Sequence, residues 1–185
     1  MFCRETDIST SGLDLLIIGY GNSMRADDGA GLALIEQLDA LLAQKRTTGV
    51  RLIACPQLMP ELAADISEAG KVLFVDASVA VQPGRVHIAR IDPDEPRMTL
   101  GHHFSPASLL SLARTSFGAC PAAWVAEVGC ESLEMDDRLT DTTAATIDRL
   151  ARHLMYHLAR RPGNAEQALN DGEQDARLQT ICQQK

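Results

Sequence analysis

The 185-residue sequence predicts an α/β fold: a single three-layer α/β/α domain built on a mostly parallel central sheet of about five strands. Three observations carry that reading. Apolar runs of strand length alternate with segments whose apolar residues recur at helical spacing, the order expected of βαβ units. The strand-like runs are mostly apolar throughout, as strands covered on both faces must be. The length suits one domain with one sizeable core.

The first run, residues 13–20 (LDLLIIGY), reads as a doubly buried strand. After the polar stretch GNSMRADDGAG, Leu34, Ile35, Leu38, Leu41 and Leu42 share one face of a helix. Residues 50–54 form a second strand, and Pro60 and Gly70 bracket a second helix. Residues 71–75 (KVLFV) are a third strand, ending on Asp76. A turn at VQPG leads to a strand over 85–91, and DPDEPRMTLGHHFS is a loop broken by Pro and Gly. Pro106 opens a third helix, residues 122–128 form the last strand, and a final helix runs from 140 or 141 to about 159. Residues 1–12 are expected to be an N-terminal extension, 13–160 the domain, and 161–185 a polar tail.

Composition limits the partners. With 17 basic against 25 acidic residues and a formal net charge of −8, the chain lacks the clustered Lys and Arg of a nucleic-acid surface. No apolar run approaches the roughly 18 residues of a membrane span. The five cysteines form no C-x-x-C pair, so neither a zinc knuckle nor a redox dithiol is indicated. The expectation is a cytoplasmic monomer with reduced thiols.

In folds of this class the working groups gather beyond the carboxyl ends of the strands. Asp27 and Asp28, Asp76, and the His102–His103 pair fall at or near such ends. Gly19-Tyr20-Gly21 invites a dinucleotide reading, but Met24 stands where the third glycine of G-x-G-x-x-G belongs. Asp27 and Asp28 would also repel a pyrophosphate at the following helix. The same acids suit helix capping, and Asp76 suits a turn cap. His153 and His157 are four apart on the last helix but lack the carboxylate of H-E-x-x-H, so a solvated or half-buried face accounts for them. No G-x-S-x-G elbow supports a serine nucleophile. Two acids and an imidazole at strand ends can hold a borderline divalent metal, or handle protons for an attacking water.

The segments IGYGNSMRADDGAG, VLFVDASVAVQPG and HHFSPASLLSLA, in this order, resemble those of the hydrogenase maturation endopeptidases. QLMPELAADI and MDDRLTDTTAATIDRLARHL resemble further parts of that family, so the resemblance covers about residues 13–160. It implies an α/β/α endopeptidase that removes a short C-terminal extension from the large-subunit precursor of a nickel–iron hydrogenase after nickel insertion. The nickel belongs to the substrate and acts as the recognition signal. No tightly bound cofactor of its own is expected, although another divalent metal could stand in for nickel in vitro.

Carried over by position, the resemblance makes Asp28 and Asp76 the catalytic acids, and makes Asp28, Asp76 and His102 the metal contacts, with His103 the alternative if the register shifts by one. Gly21, Asn22, Asp27 and Gly29 would line the substrate. Two departures fall in the turn: Ala26 stands where the family usually has Gly, and Ser23 where Pro is common. Pro56 precedes Gln57 where related sequences often carry His. A non-catalytic, nickel-dependent checkpoint or chaperone for the precursor would use the same residues.

Overall fold

The computed structural model describes residues 4–6, 13–45, 47–93 and 104–160. In chain order the elements are β1 (Arg4–Thr6), β2 (Leu15–Tyr20), α1 (Ala30–Lys45), β3 (Val50–Cys55), α2 (Leu62–Glu68) and β4 (Lys71–Ser78). They continue with β5 (Val86–Arg90), α3 (Pro106–Phe117), β6 (Ala122–Gly129) and α4 (Asp141–Arg160). The strands form one sheet in the order β1-β3-β2-β4-β6-β5. The inner four run parallel, while β1 and β5 pair antiparallel at the two edges.

The α/β reading and the parallel sheet hold, and the strand count rises from about five to six. The added strand is Arg4–Thr6, which lies inside the stretch expected to extend beyond the domain and pairs with β3 from Ala54 to Leu52. Three residues are too few for any periodicity to register, so nothing in the sequence pattern distinguished them from a tail. His102, His103 and the tail over 161–185 lie outside the described residues.

Alternation along each inner strand sends side chains to two cores. Leu15, Ile17, Leu73, Val75, Trp124 and Ala126 pack under α1 and α4. Leu16, Ile18, Val72, Phe74 and Ala123 pack under α2 and α3. Helix α3 has well-defined ends. Ser105 accepts from the Ser108 amide at 3.2 Å and Ser108 Oγ accepts in return from the Ser105 amide at 2.8 Å, a reciprocal cap, and Pro106 follows it. Gly118, left-handed at φ 74°, ends it.

Helix α1 lies unusually close to the sheet because glycines meet there. A Cβ on Gly31 would fall 2.5 Å from the Val75 carbonyl oxygen and 2.6 Å from that of Tyr20. A Cβ on Gly19 would fall 2.1 Å from the Gly31 carbonyl oxygen. The amino end of α1 therefore rests on the backbone of β2 and β4, where the candidate acids lie.

Candidate active site

From β2 the chain crosses to β3 on one side, and from β3 it crosses back to β4 on the other. The carboxyl ends of β2 and β4 thus flank the topological switch point, where an open α/β sheet leaves a crevice. Asp76 lies two residues before the end of β4, beside this crevice, and Asp28 comes from a 3₁₀ turn, Ala26–Gly29, that packs beside β4. The two acids are close enough for the charge of Asp28 to be felt at Asp76.

Ladder register places further polar groups in the same row. Tyr20 pairs with Cys55, Asp76 with Glu127, and Glu127 with His87. Tyr20 follows the Gly19–Val75 pair and donates its hydroxyl to Asp76. Residues directly opposite one another project from the same face of a sheet. Cys55, Tyr20, Asp76, Glu127 and His87 therefore line the α2/α3 face at its carboxyl end. Exposure grows along the row, from buried Cys55 through half-buried Tyr20, Asp76 and Glu127 to exposed His87.

Burial is the main reason that the Asp76 pKa rises to about 6, and the charges of Asp28 and Glu127 add to it. The Tyr20 hydroxyl and the Ala77 amide, 2.8 Å from Asp76 Oδ1, oppose the rise by bonding the ionised form. The phenol of Tyr20 is in turn pushed well above its ordinary range, by burial first and then by Asp76. Cys130, just past β6, has its thiol pKa raised by burial and by the charges of Asp27, Asp28 and Asp76. Such a thiol stays protonated near neutral pH and is a poor nucleophile.

Asp27 and Asp28 are adjacent yet do different work. Asp27, expected against the substrate, is fully buried. It accepts from the amides of Glu131 at 2.8 Å, Ser132 at 3.0 Å and Thr140 at 2.8 Å, and from the Thr140 hydroxyl at 3.0 Å. Burial works against its charge, but these bonds outweigh burial and hold its pKa below the usual carboxylate value. It ties the loop after β2 to the segment after β6, and it is a structural residue.

The other loop positions shape Asp28. The Asn22 amide donates to Asp28 Oδ2 at 3.2 Å, and Asn22 Oδ1 accepts from the Met24 amide at 3.0 Å. Gly21 is held at φ 137°, and a Cβ there would fall 1.9 Å from the Asp28 carbonyl oxygen. Gly29 is buried, with its Cβ position 3.3 Å from the Ser23 Cα, so it serves loop packing. Ala26 adopts φ 43°, a left-handed conformation that glycine takes without strain.

Tyr20, Glu127 and Cys130 were not among the expected site residues. Glu127 could have been found as a lone acid in the apolar run AAWVAEV, at the end of a strand. Tyr20 fills a position that carries no pattern signal. Among the described residues no group of three or more His, Cys, Asp and Glu is arranged to hold a metal ion. A cation at Asp28 and Asp76 would therefore need further ligands from elsewhere, and the expected ones, His102 or His103, lie outside the described residues.

Known proteins share this arrangement of elements. HybD of Escherichia coli, a hydrogenase maturating endopeptidase, superposes with a TM-score of 0.63 at 24% identity, over 79% of this chain and 92% of HybD. Its fold is that of the hydrogenase maturation endopeptidases. A second endopeptidase of Escherichia coli superposes with a TM-score of 0.58 at 26% identity, over 80% of this chain and 92% of the other. In sequence, the chain is 27% identical over 156 residues to the hydrogenase expression/formation protein HupD of Bradyrhizobium diazoefficiens, spanning 74% of this chain and 72% of HupD. No protein-family model matches the chain. The resemblance to the hydrogenase maturation endopeptidases, read first from ordered motifs, thus holds in both sequence and fold.

Proposed function

We propose that this protein is an endopeptidase of hydrogenase maturation. It removes a short C-terminal extension from the large-subunit precursor of a nickel–iron hydrogenase after nickel insertion. The observation that carries this reading is the meeting of Asp28 and Asp76 at the switch point of the sheet, inside a fold shared with such endopeptidases.

Two carboxylates bind a divalent ion weakly on their own and well when a partner supplies the remaining ligands. Recognition of the nickel carried by the precursor follows from that shortfall, with His102 or His103 as a further contact. The cation then fixes the precursor so that the scissile amide lies beside the acids. Peptide hydrolysis requires a group that takes a proton from the attacking water and returns one to the leaving amine. Asp28 and Asp76 are the acids beside the scissile amide, and the carboxylate oxygen that does not hold the cation is the one suited to that exchange.

The experiment is incubation with nickel-loaded and nickel-free precursor, followed by mass spectrometry of the large subunit. The expected result is a shortened chain from the loaded form alone. Equal shortening of both would remove nickel gating, and binding without shortening would establish the checkpoint reading in its place.

A further inference from the structure

Six large apolar side chains are exposed among the described residues, and four of them lie at the carboxyl end of the sheet. Met59 is 42% exposed after β3, Met24 56% after β2, Val79 76% after β4 and Met135 81% after β6. Each occupies a different loop, and the four loops follow strands that are neighbours in the sheet. Single exposed apolar residues are ordinary on a protein surface, but one on each of four adjacent loops around a crevice is a rim.

Three of these segments, those after β2, β4 and β6, are joined to one another. The Ala26 amide donates to the Asp136 carbonyl at 2.8 Å, and the Cys130 amide donates to that of Ser78 at 3.2 Å. The floor inside the rim carries Asp28, Asp76 and Glu127, and the loop after β6 adds exposed Glu131, Glu134 and Asp137. The exposed cations of these loops are Arg25 and Arg138, and Arg138 is already paired with Asp136 at 3.4 Å.

We propose that this methionine-bearing rim docks the apolar side chains that flank a cationic centre in a polypeptide segment of the precursor. Charge complementarity selects that occupant. A second copy of this chain would set acid against acid, and a nucleic acid would set phosphate against carboxylate. A segment with a positive centre neutralises the floor while its apolar flanks cover Met24, Met59, Val79 and Met135. Four strands spaced about 4.8 Å apart span roughly 14 Å, a distance that four or five extended residues cross. Methionine is suited to the task, because its unbranched thioether repacks against differing partners. The proposal rests on the endopeptidase reading only for the identity of the partner.

The test titrates nickel-loaded large-subunit precursor against the full-length protein, reading both the dissociation constant and KM for processing. The triple variant Met24→Gln, Met59→Gln, Met135→Gln keeps side-chain size and removes apolar character. It is expected to raise both quantities by about 10- to 100-fold, with Met135→Gln alone raising them about threefold. The corresponding Met→Leu triple should stay near wild type. Phe117→Gln, at the far end of α3 and 54% exposed, is the control and should change neither quantity.

A triple Gln variant that behaves like Phe117→Gln overturns the rim. If the wild type binds the precursor without shortening it, the endopeptidase reading falls and the rim is judged on the dissociation constant by the same factors. If the wild type neither binds nor shortens it, both fall.

Discussion

At neutral pH Asp76 is ionised despite its burial and despite the charges of Asp28 and Glu127, which together bring its pKa to about 6 from the usual 3.8. A carboxyl raised in the native state costs stability as pH increases. Between 3.8 and about 6 the unfolded chain ionises first, so the native state loses ground across that window and the loss is constant above it. Asp76→Asn should therefore raise stability at pH 7 by about 1–3 kcal/mol in urea unfolding while abolishing precursor processing. An unchanged or lowered midpoint would place the strain elsewhere. The same shift sets a pH dependence of function: a protonated carboxyl does not hold a cation, so kcat/KM for the nickel-loaded precursor should fall about tenfold per pH unit below about 6. Asp27 gives the opposite sign. Its lowered pKa means that its contribution is present above the ordinary carboxylate value and is lost as pH falls through the depressed one. Asp27→Asn would replace an acceptor of three backbone amides with a group that turns a donor towards some of them. A loss of about 2–4 kcal/mol is expected, measured by denaturant unfolding at pH 7.

At the scale of elements, the spacing of apolar residues was enough to place the strands and helices of the inner sheet, because burial on one face or two leaves its period in the chain. Pro106 marks the start of α3 for a local backbone reason, and such a reason is visible in a sequence. The left-handed Gly118 that ends the helix was supplied by the structure. The division of labour between Asp27 and Asp28 was not legible. Both are acids between a strand and a helix, and the partner that buries Asp27, Thr140, is 113 residues away. Tyr20 was not legible for the same reason, since a cross-strand row exists only once register is fixed. Glu127, by contrast, stands out in the sequence as a lone acid in an apolar run. Glycines show most directly how packing gives one residue type different meanings. Gly118→Ala meets a left-handed φ of 74° with nothing within 4 Å, so a cost of about 1 kcal/mol is expected. Gly31→Ala drives a methyl to 2.5 Å from the backbone oxygen of Val75, which forces α1 off the sheet. It should cost more than about 3 kcal/mol or prevent folding altogether, by circular dichroism and urea unfolding. Similar losses at the two sites would show that backbone conformation, not helix–sheet contact, sets the requirement.

For the whole molecule, the order β1-β3-β2-β4-β6-β5 separates what holds the sheet together from what surrounds the crevice. The acids lie between the central strands β2 and β4, and their supporting loops come from β2, β4 and β6. β1 is at the far edge, with β3 and β2 between it and β4. Its pairing covers one edge of β3, which would otherwise present unpaired amides and carbonyls as a template for another chain. Removing residues 1–12 should thus act on stability and association without acting on chemistry. A three-residue edge strand contributes only a few backbone hydrogen bonds, so the expected loss is about 1–2 kcal/mol in urea unfolding. The shortened protein should process nickel-loaded precursor with kcat/KM within about twofold of the full chain, and should self-associate more readily by light scattering once β3 becomes the edge. A collapse of kcat/KM with little change in stability would mean that the amino-terminal strand acts on the crevice, and the separation of edge from site drawn from the strand order would be wrong.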